Sequence, residues 1–136
     1  MTTENEYIFE MPIKVRDYEV DSEGIVNNAI YLHYLELTRH EFCESAGLSF
    51  REMHLGGIDP VLSRVEIDYK SPLGLGETMI SRLNLRRKGP IFVFDQAIDK
   101  ADGTPVVRAK VNVACLENGR LGRGEKLAEA FKDYLK

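Results

Sequence analysis

Within "DYEVDSEGIVNNAIYLHYLE", residues 17 to 36, one carboxylate and one amide pair stand where chemistry is possible: Asp21 on a polar stretch, then Asn27 and Asn28 just before an apolar segment. A helix that begins near Asn28 leaves the backbone N–H groups of its first turn, Asn28 and Ala29 among them, unpaired at the positive end of its dipole. Such donors can polarise a carbonyl, and a nearby carboxylate can attack it or deprotonate a water. The plain alternative is that Asp21 or Asn28 caps the helix. Asp21 lies seven residues before Asn28, too far to cap the same first turn, whereas Asn28 suits that role. Gly24 lets the intervening loop turn tightly.

Other residues invite chemistry less strongly. Arg82, Arg86, Arg87 and Lys88 form a basic knot in "SRLNLRRKGP". On a protein with a net charge of −4 it suits a phosphorylated small molecule, or else a solvated strand end. Residues 1 to 23 hold seven acids against two bases, and the remainder is nearly balanced, which excludes a typical nucleic-acid binder. His33, Glu36 and His40 share a helix face, as metal ligands can, but Glu36 paired with Arg39 accounts for the same letters without a metal. Ser63 falls on the buried parity of its strand, as a core hydroxyl or a water-holding group. The G-x-S-x-G elbow of serine hydrolases is absent from the sequence.

The elements that position these residues follow from periodicity. Tyr7, Phe9, Met11, Ile13 and Val15 alternate as a strand, placed at an edge by Pro12. From Ala29 to about Ala46 apolar residues cover nearly every helical face, so the helix is expected to be surrounded by protein. "SFREMH" reads as one helical turn. Residues 61 to 70 alternate strictly as a strand, and runs near 77–87, 91–100 and 105–117 follow, separated by the turn signals "KGP" and "DGT". The tail "GEKLAEAFKDYLK" spaces its apolar residues as a short amphipathic helix. The expectation is one α+β domain over residues 1–136, a curved antiparallel five-stranded sheet wrapped around a long central helix, with a short C-terminal helix. Cys43 and Cys115 read as free buried thiols. With neither an apolar run near the roughly 20 residues of a membrane span nor a basic or apolar leader, a cytoplasmic protein is expected.

A strand followed by D-x-x-G-[IV]-V-x-x-x-x-Y before a buried helix, here Asp21, Gly24, Ile25, Val26 and Tyr31, resembles the hot-dog-fold thioesterases of the 4-hydroxybenzoyl-CoA thioesterase-like family. "IDYKSPLGLGE" and "LRRKGP" extend the likeness over nearly the whole chain. The resemblance implies hydrolysis of acyl thioesters of coenzyme A or acyl carrier protein without a metal or redox cofactor, by a homodimer or homotetramer. It implies Asp21 as the catalytic carboxylate and Arg86, Arg87 and Lys88 as contacts to the phosphates of CoA; Gly24, Val26, Asn27, Tyr31 and Ser63 are the candidate pocket residues. Asn27 and Asn28 stand where many members have an aromatic residue followed by His or Pro, so no histidine role carries over. A hydratase of the same fold, which usually needs that histidine, and a non-catalytic acyl-thioester-binding module are the competing readings.

Overall fold

The computed structural model describes residues 7–135; the initial "MTTENE" and Lys136 lie outside them. Five strands, β1 (Phe9–Lys14), β2 (Ile58–Tyr69), β3 (Thr78–Lys88), β4 (Ile91–Lys100) and β5 (Pro105–Glu117), form an antiparallel sheet in the order β1-β3-β4-β5-β2. A two-residue strand, β6 (Arg120–Leu121), which periodicity did not announce, folds back on β5. "KGP" and "DGT" make the expected hairpins, and β1 is an edge strand, where Pro12 removes no bond the sheet needs. Three helices complete the chain: α1 (Ile30–Ser45), α2 (Phe50–Leu55) and α3 (Glu125–Ala130). No helix among the described residues is long and apolar enough to cross a membrane.

The sheet curls around α1 but does not enclose it. Tyr31, Tyr34, Leu35, Thr38, Phe42 and Cys43 are buried against the concave face, whereas Leu32, His33, Glu36 and His40 remain exposed, Leu32 at 44%. Within one chain the sheet thus covers one side of the helix, because a half-barrel can cover only one side of a cylinder. A polar belt crosses the buried face at mid-helix. Thr38 Oγ1 lies 2.6 Å from Ser81 Oγ, Gln96 Nε2 donates to the Leu35 carbonyl at 3.1 Å, and Arg39 donates to Gln96 Oε1 at 3.1 Å. Two apolar clusters lie on either side, one around Tyr31, Leu35, Met79 and Ile98, the other around Phe42, Phe92, Phe94 and Phe131. Satisfied polar groups inside a core cost little and restrict helix placement.

The segment between β1 and α1 is anchored by a buried carboxylate that pattern reading overlooked. Glu19, 8% exposed, accepts the Tyr34 phenol and the Arg16 amide through Oε1, each at 2.8 Å, and its carbonyl accepts the Asn27 amide at 3.1 Å. Burial, then the Glu19 bond, push the Tyr34 hydroxyl far above its ordinary range, so it stays a donor. Tyr34→Phe leaves the buried oxygen one partner short; a destabilisation of about 1–3 kcal/mol in urea titration is expected, with faster amide exchange at Asn27.

Burial likewise pushes the Cys43 thiol up from 9.0 to about 12. The folded state therefore holds this proton more tightly than the unfolded chain does. Its stabilising effect is fully present below pH 9 and is lost as the pH rises toward 12. The urea midpoint should decline over that window, and less steeply in Cys43→Ala.

Candidate active site

Residues 20 to 26 form a narrow hairpin standing off the sheet. Val20 bridges Val26, the Asp21 amide donates to the Ile25 carbonyl at 2.9 Å, and the Gly24 amide donates to the Asp21 carbonyl at 3.0 Å. Gly24 closes the turn at φ 79°, a conformation that a side chain disfavours even though its space here is open. The hairpin is tied to the body where Val26 donates to the Leu73 carbonyl at 2.9 Å and Ile25 bridges Gly74. Asp21 is exposed at its tip. One carboxylate oxygen, Oδ1, accepts the Glu23 amide at 2.8 Å, so Asp21 supports the turn as well as presenting an acid. Gly24 serves the turn and does not line the cleft described next.

The helix begins one residue later than expected, at Ile30. Ala29 is the N-cap residue, and the capping-type bond comes from Asn27, whose Oδ1 accepts the Ala29 amide at 2.9 Å; the Asn27 carbonyl also accepts Ile30 N–H at 2.9 Å. This corrects two expectations. Asn28 does not cap with its side chain, and Ala29 has no free amide to offer. The Asn28 amide has no acceptor among the described residues. It stands at the positive end of a 16-residue helix, on the lip of a cleft of about 220 Å³ formed by Ile25, Val26, Asn28, Tyr31, Tyr69 and the turn at residues 70–72.

Aromatic side chains set the shape of that cleft. Tyr31, 2% exposed, packs edge-on against Tyr34 and Tyr69, with ring centroids 5.9 and 5.5 Å apart, and its hydroxyl accepts the Leu73 amide at 3.2 Å. Burial raises its pKa, keeping it neutral. Tyr69 donates to the Asn28 carbonyl at 3.2 Å, which holds that peptide in place and was not foreseen from its strand position. Val26 and Tyr31 line the cleft as expected.

Ser63 does not join them. It is exposed, and its hydroxyl donates to the Asn112 carbonyl at 3.2 Å where the β2–β5 register shifts between Leu62 and Arg64. The bulge takes Ser63 out of the alternation on which its buried parity rested. The basic triplet is divided by the pleat. Arg86 Nε donates to Asp95 Oδ2 at 2.8 Å on one face. Arg87, on the other, lies over Phe92, donates to the Gly89 and Arg123 carbonyls at 2.9 and 2.6 Å, and pairs with Glu125 at 3.5 Å. Lys88 is exposed. All three sit at the Lys88–Ile91 end of the sheet, whereas the Asp21 hairpin leaves from the Lys14–Thr78 end. Ten residue steps along β3 separate the ends, about 33 Å at ~3.3 Å per residue. On α1, Glu36 and His40 meet at 4.0 Å, Arg39 pairs with Gln96 rather than Glu36, and among the described residues no three metal-ligating side chains converge.

Known proteins share this architecture. The sequence is 34% identical over 111 residues to the acyl-acyl carrier protein thioesterase ATL3, chloroplastic, of Arabidopsis thaliana, covering 80% of this chain and 58% of that protein. The chain therefore spans about three-fifths of the length of that relative. It is 30% identical over 122 residues to an Aquifex aeolicus (strain VF5) protein named as an esterase, covering 88% of this chain and 94% of that one. The crystal structure of Slr0204, a 1,4-dihydroxy-2-naphthoyl-CoA thioesterase from Synechocystis, superposes with a TM-score of 0.84 over 92% of this chain and 96% of its own; at 19% identity the likeness is one of fold. The sequence model of the thioesterase-like superfamily matches residues 15–135, nearly the whole described chain, and with the curled sheet around α1 this makes the protein a hot-dog-fold member of that superfamily.

Proposed function

We propose that this protein hydrolyses acyl thioesters, with Asp21 as the catalytic carboxylate and the Asn28 amide as the donor to the developing oxyanion. The observation that carries the reading is the Asn28 N–H at the start of α1, without an acceptor among the described residues, on a cleft also lined by Ile25 and Val26 of the hairpin that bears Asp21; Asp21 itself stands outside that lining. A carbonyl oxygen resting on that N–H has its carbon exposed to attack. In one route Asp21 takes a proton from water, the hydroxyl adds to the carbon, and the C–S bond breaks as the thiolate leaves and is protonated. In the other, Asp21 itself displaces the thiolate, and water then cleaves the mixed anhydride. A single donor of this kind is worth about 10² to 10³ in rate at other acyl-transfer sites.

The turn-supporting bond of Asp21 favours a second reading, a binding module in which the carboxylate only shapes the loop. Asp21→Asn separates the two, because an amide oxygen can still accept the Glu23 N–H but cannot act as base or nucleophile. Thiol release should fall by at least about 10²–10⁴-fold with the melting temperature preserved. Wild-type turnover in that variant would leave the binding module as the better account.

The carrier would be held across two subunits. Coenzyme A anchored at Asp21 cannot reach Arg86–Lys88 of the same chain, about 33 Å away along β3. The edge strand β2 offers unpaired backbone groups beside exposed Val61, Leu62 and Tyr69, a template for a second copy. Antiparallel pairing about a two-fold axis sets Tyr69 of one chain beside Ile58 of the other. The basic end of the partner then lies at the Asp21 end of the first subunit. Lys88→Ala, which disturbs no internal ion pair, should raise KM severalfold for acyl-CoA at low salt and leave acyl-pantetheine unaffected. Equal effects on both esters would remove phosphate binding from the account.

A further inference from the structure

The thioesterase reading leaves an aromatic-walled cavity unused. It lies beyond the polar belt, about 120 Å³ in volume, walled by Cys43, Phe50, Phe92, Phe94, Val113 and Phe131. Engineered apolar cavities of about 150 Å³ stay dry and take a benzene-sized guest. Its mouth opens between α1 and the edge strand, with Glu36, Arg39 and His40 on the helix side and Val61 and Leu62 on the strand side. Leu62 is 53% and Val61 36% exposed, so apolar surface continues outward from the chamber.

Two rows of residues, one on α1 and one on β2, run from that mouth toward Asn28. Asn28, Leu32, Glu36, Arg39 and Cys43 follow one another at intervals of three or four, one stripe along the helix. On β2, Tyr69 touches the Asn28 carbonyl, half-buried Ile67 and Val65 follow, and Val61 and Leu62 end the row at the chamber. The rise of a helix puts Glu36 about 12 Å beyond Asn28 and Cys43 about 22 Å beyond it. An extended alkyl chain advances about 1.25 Å per carbon, from C–C bonds of ~1.5 Å at angles of ~111°. An acyl chain whose carbonyl sits at Asn28 therefore meets the mouth at about ten carbons and ends within the chamber at about thirteen to eighteen.

We infer that this chamber receives the distal end of a straight aliphatic acyl chain, so that the protein selects long aliphatic thioesters over short or aromatic ones. The inference rests on the thioesterase reading for the position of the carbonyl. An aromatic acyl group ends well short of the mouth. The stem of Arg39 can lie along the chain while its guanidinium stays with Gln96.

The test is a series of straight-chain acyl-CoA thioesters from C4 to C18, read as free thiol, with the wild-type protein and with Val113→Phe, whose ring would occupy the chamber. The expected kcat/KM is nearly level to about C10 and then climbs toward the roughly fourfold per carbon that full methylene burial supplies. In Val113→Phe the ratio of C16 to C8 should fall at least tenfold. A folded variant with an unchanged ratio, or a level wild-type profile to C18, overturns the inference. Because Val113→Phe can fail to fold, a binding measurement stands beside it. The sequence has no tryptophan, so Leu62→Trp places a sole indole at the mouth. A non-hydrolysable hexadecyl-CoA thioether brominated at its chain end should quench it, and a hexyl-CoA thioether brominated likewise should not; equal quenching, or none, refutes the chamber. Loss of turnover in Asp21→Asn with a level chain-length profile sinks the chamber alone, whereas full turnover in Asp21→Asn with selective quenching sinks the catalytic reading alone.

Discussion

Burial of one face of α1 in the concave side of the sheet is the contact on which the rest of the molecule depends. It supplies both halves of the core, sets the helix axis through the Thr38–Ser81 and Gln96–Leu35 hydrogen bonds, and leaves the opposite face open. Because the helix is held this way, its first turn has a defined position at one end of the sheet. The chain before it, pinned by Glu19 to Tyr34 and to the Asn27 amide, must pass close to that turn. The two ends of the loop that carries Asp21 are thus held beside the helix by one buried acid, Glu19.

The open face has consequences of its own. One sheet cannot cover both sides of a helix, so Leu32, Glu36 and His40 are left exposed beside an edge strand that carries Val61, Leu62 and Tyr69. An exposed apolar edge is a liability unless something occupies it. A second copy at the strand edge, and an acyl chain along the groove between strand and helix, are occupants suited to its chemistry. Both place functional demands on surface that contributes little to the stability of a single chain.

Much of this was legible in the order of residues. Alternation and helical spacing marked every strand of the main sheet and the central helix, since the side chains of those elements repeat with periods of 2 and 3.6. Pro12 announced an edge, and the spacing from Asp21 to Asn28 separated an acid on a loop from amides at a helix start. Glu19 escaped notice because its burial depends on Tyr34, fifteen residues away, and no local pattern records that pairing.

By itself, then, the sequence determined the strands of the main sheet, the central helix, the two hairpins that join β3, β4 and β5, and the chemical groups available for acyl transfer. These are properties of short segments, encoded in which residues share a face. Tertiary structure decided what those groups can reach. A bulge turned Ser63 outward, the Asn27 side chain consumed the Ala29 amide and left that of Asn28 free, and the pleat committed Arg86 and Arg87 to different partners at the far end of the sheet. Each outcome rests on register or on contacts between distant segments, where a shift of one residue reverses a side chain while the local pattern stays the same.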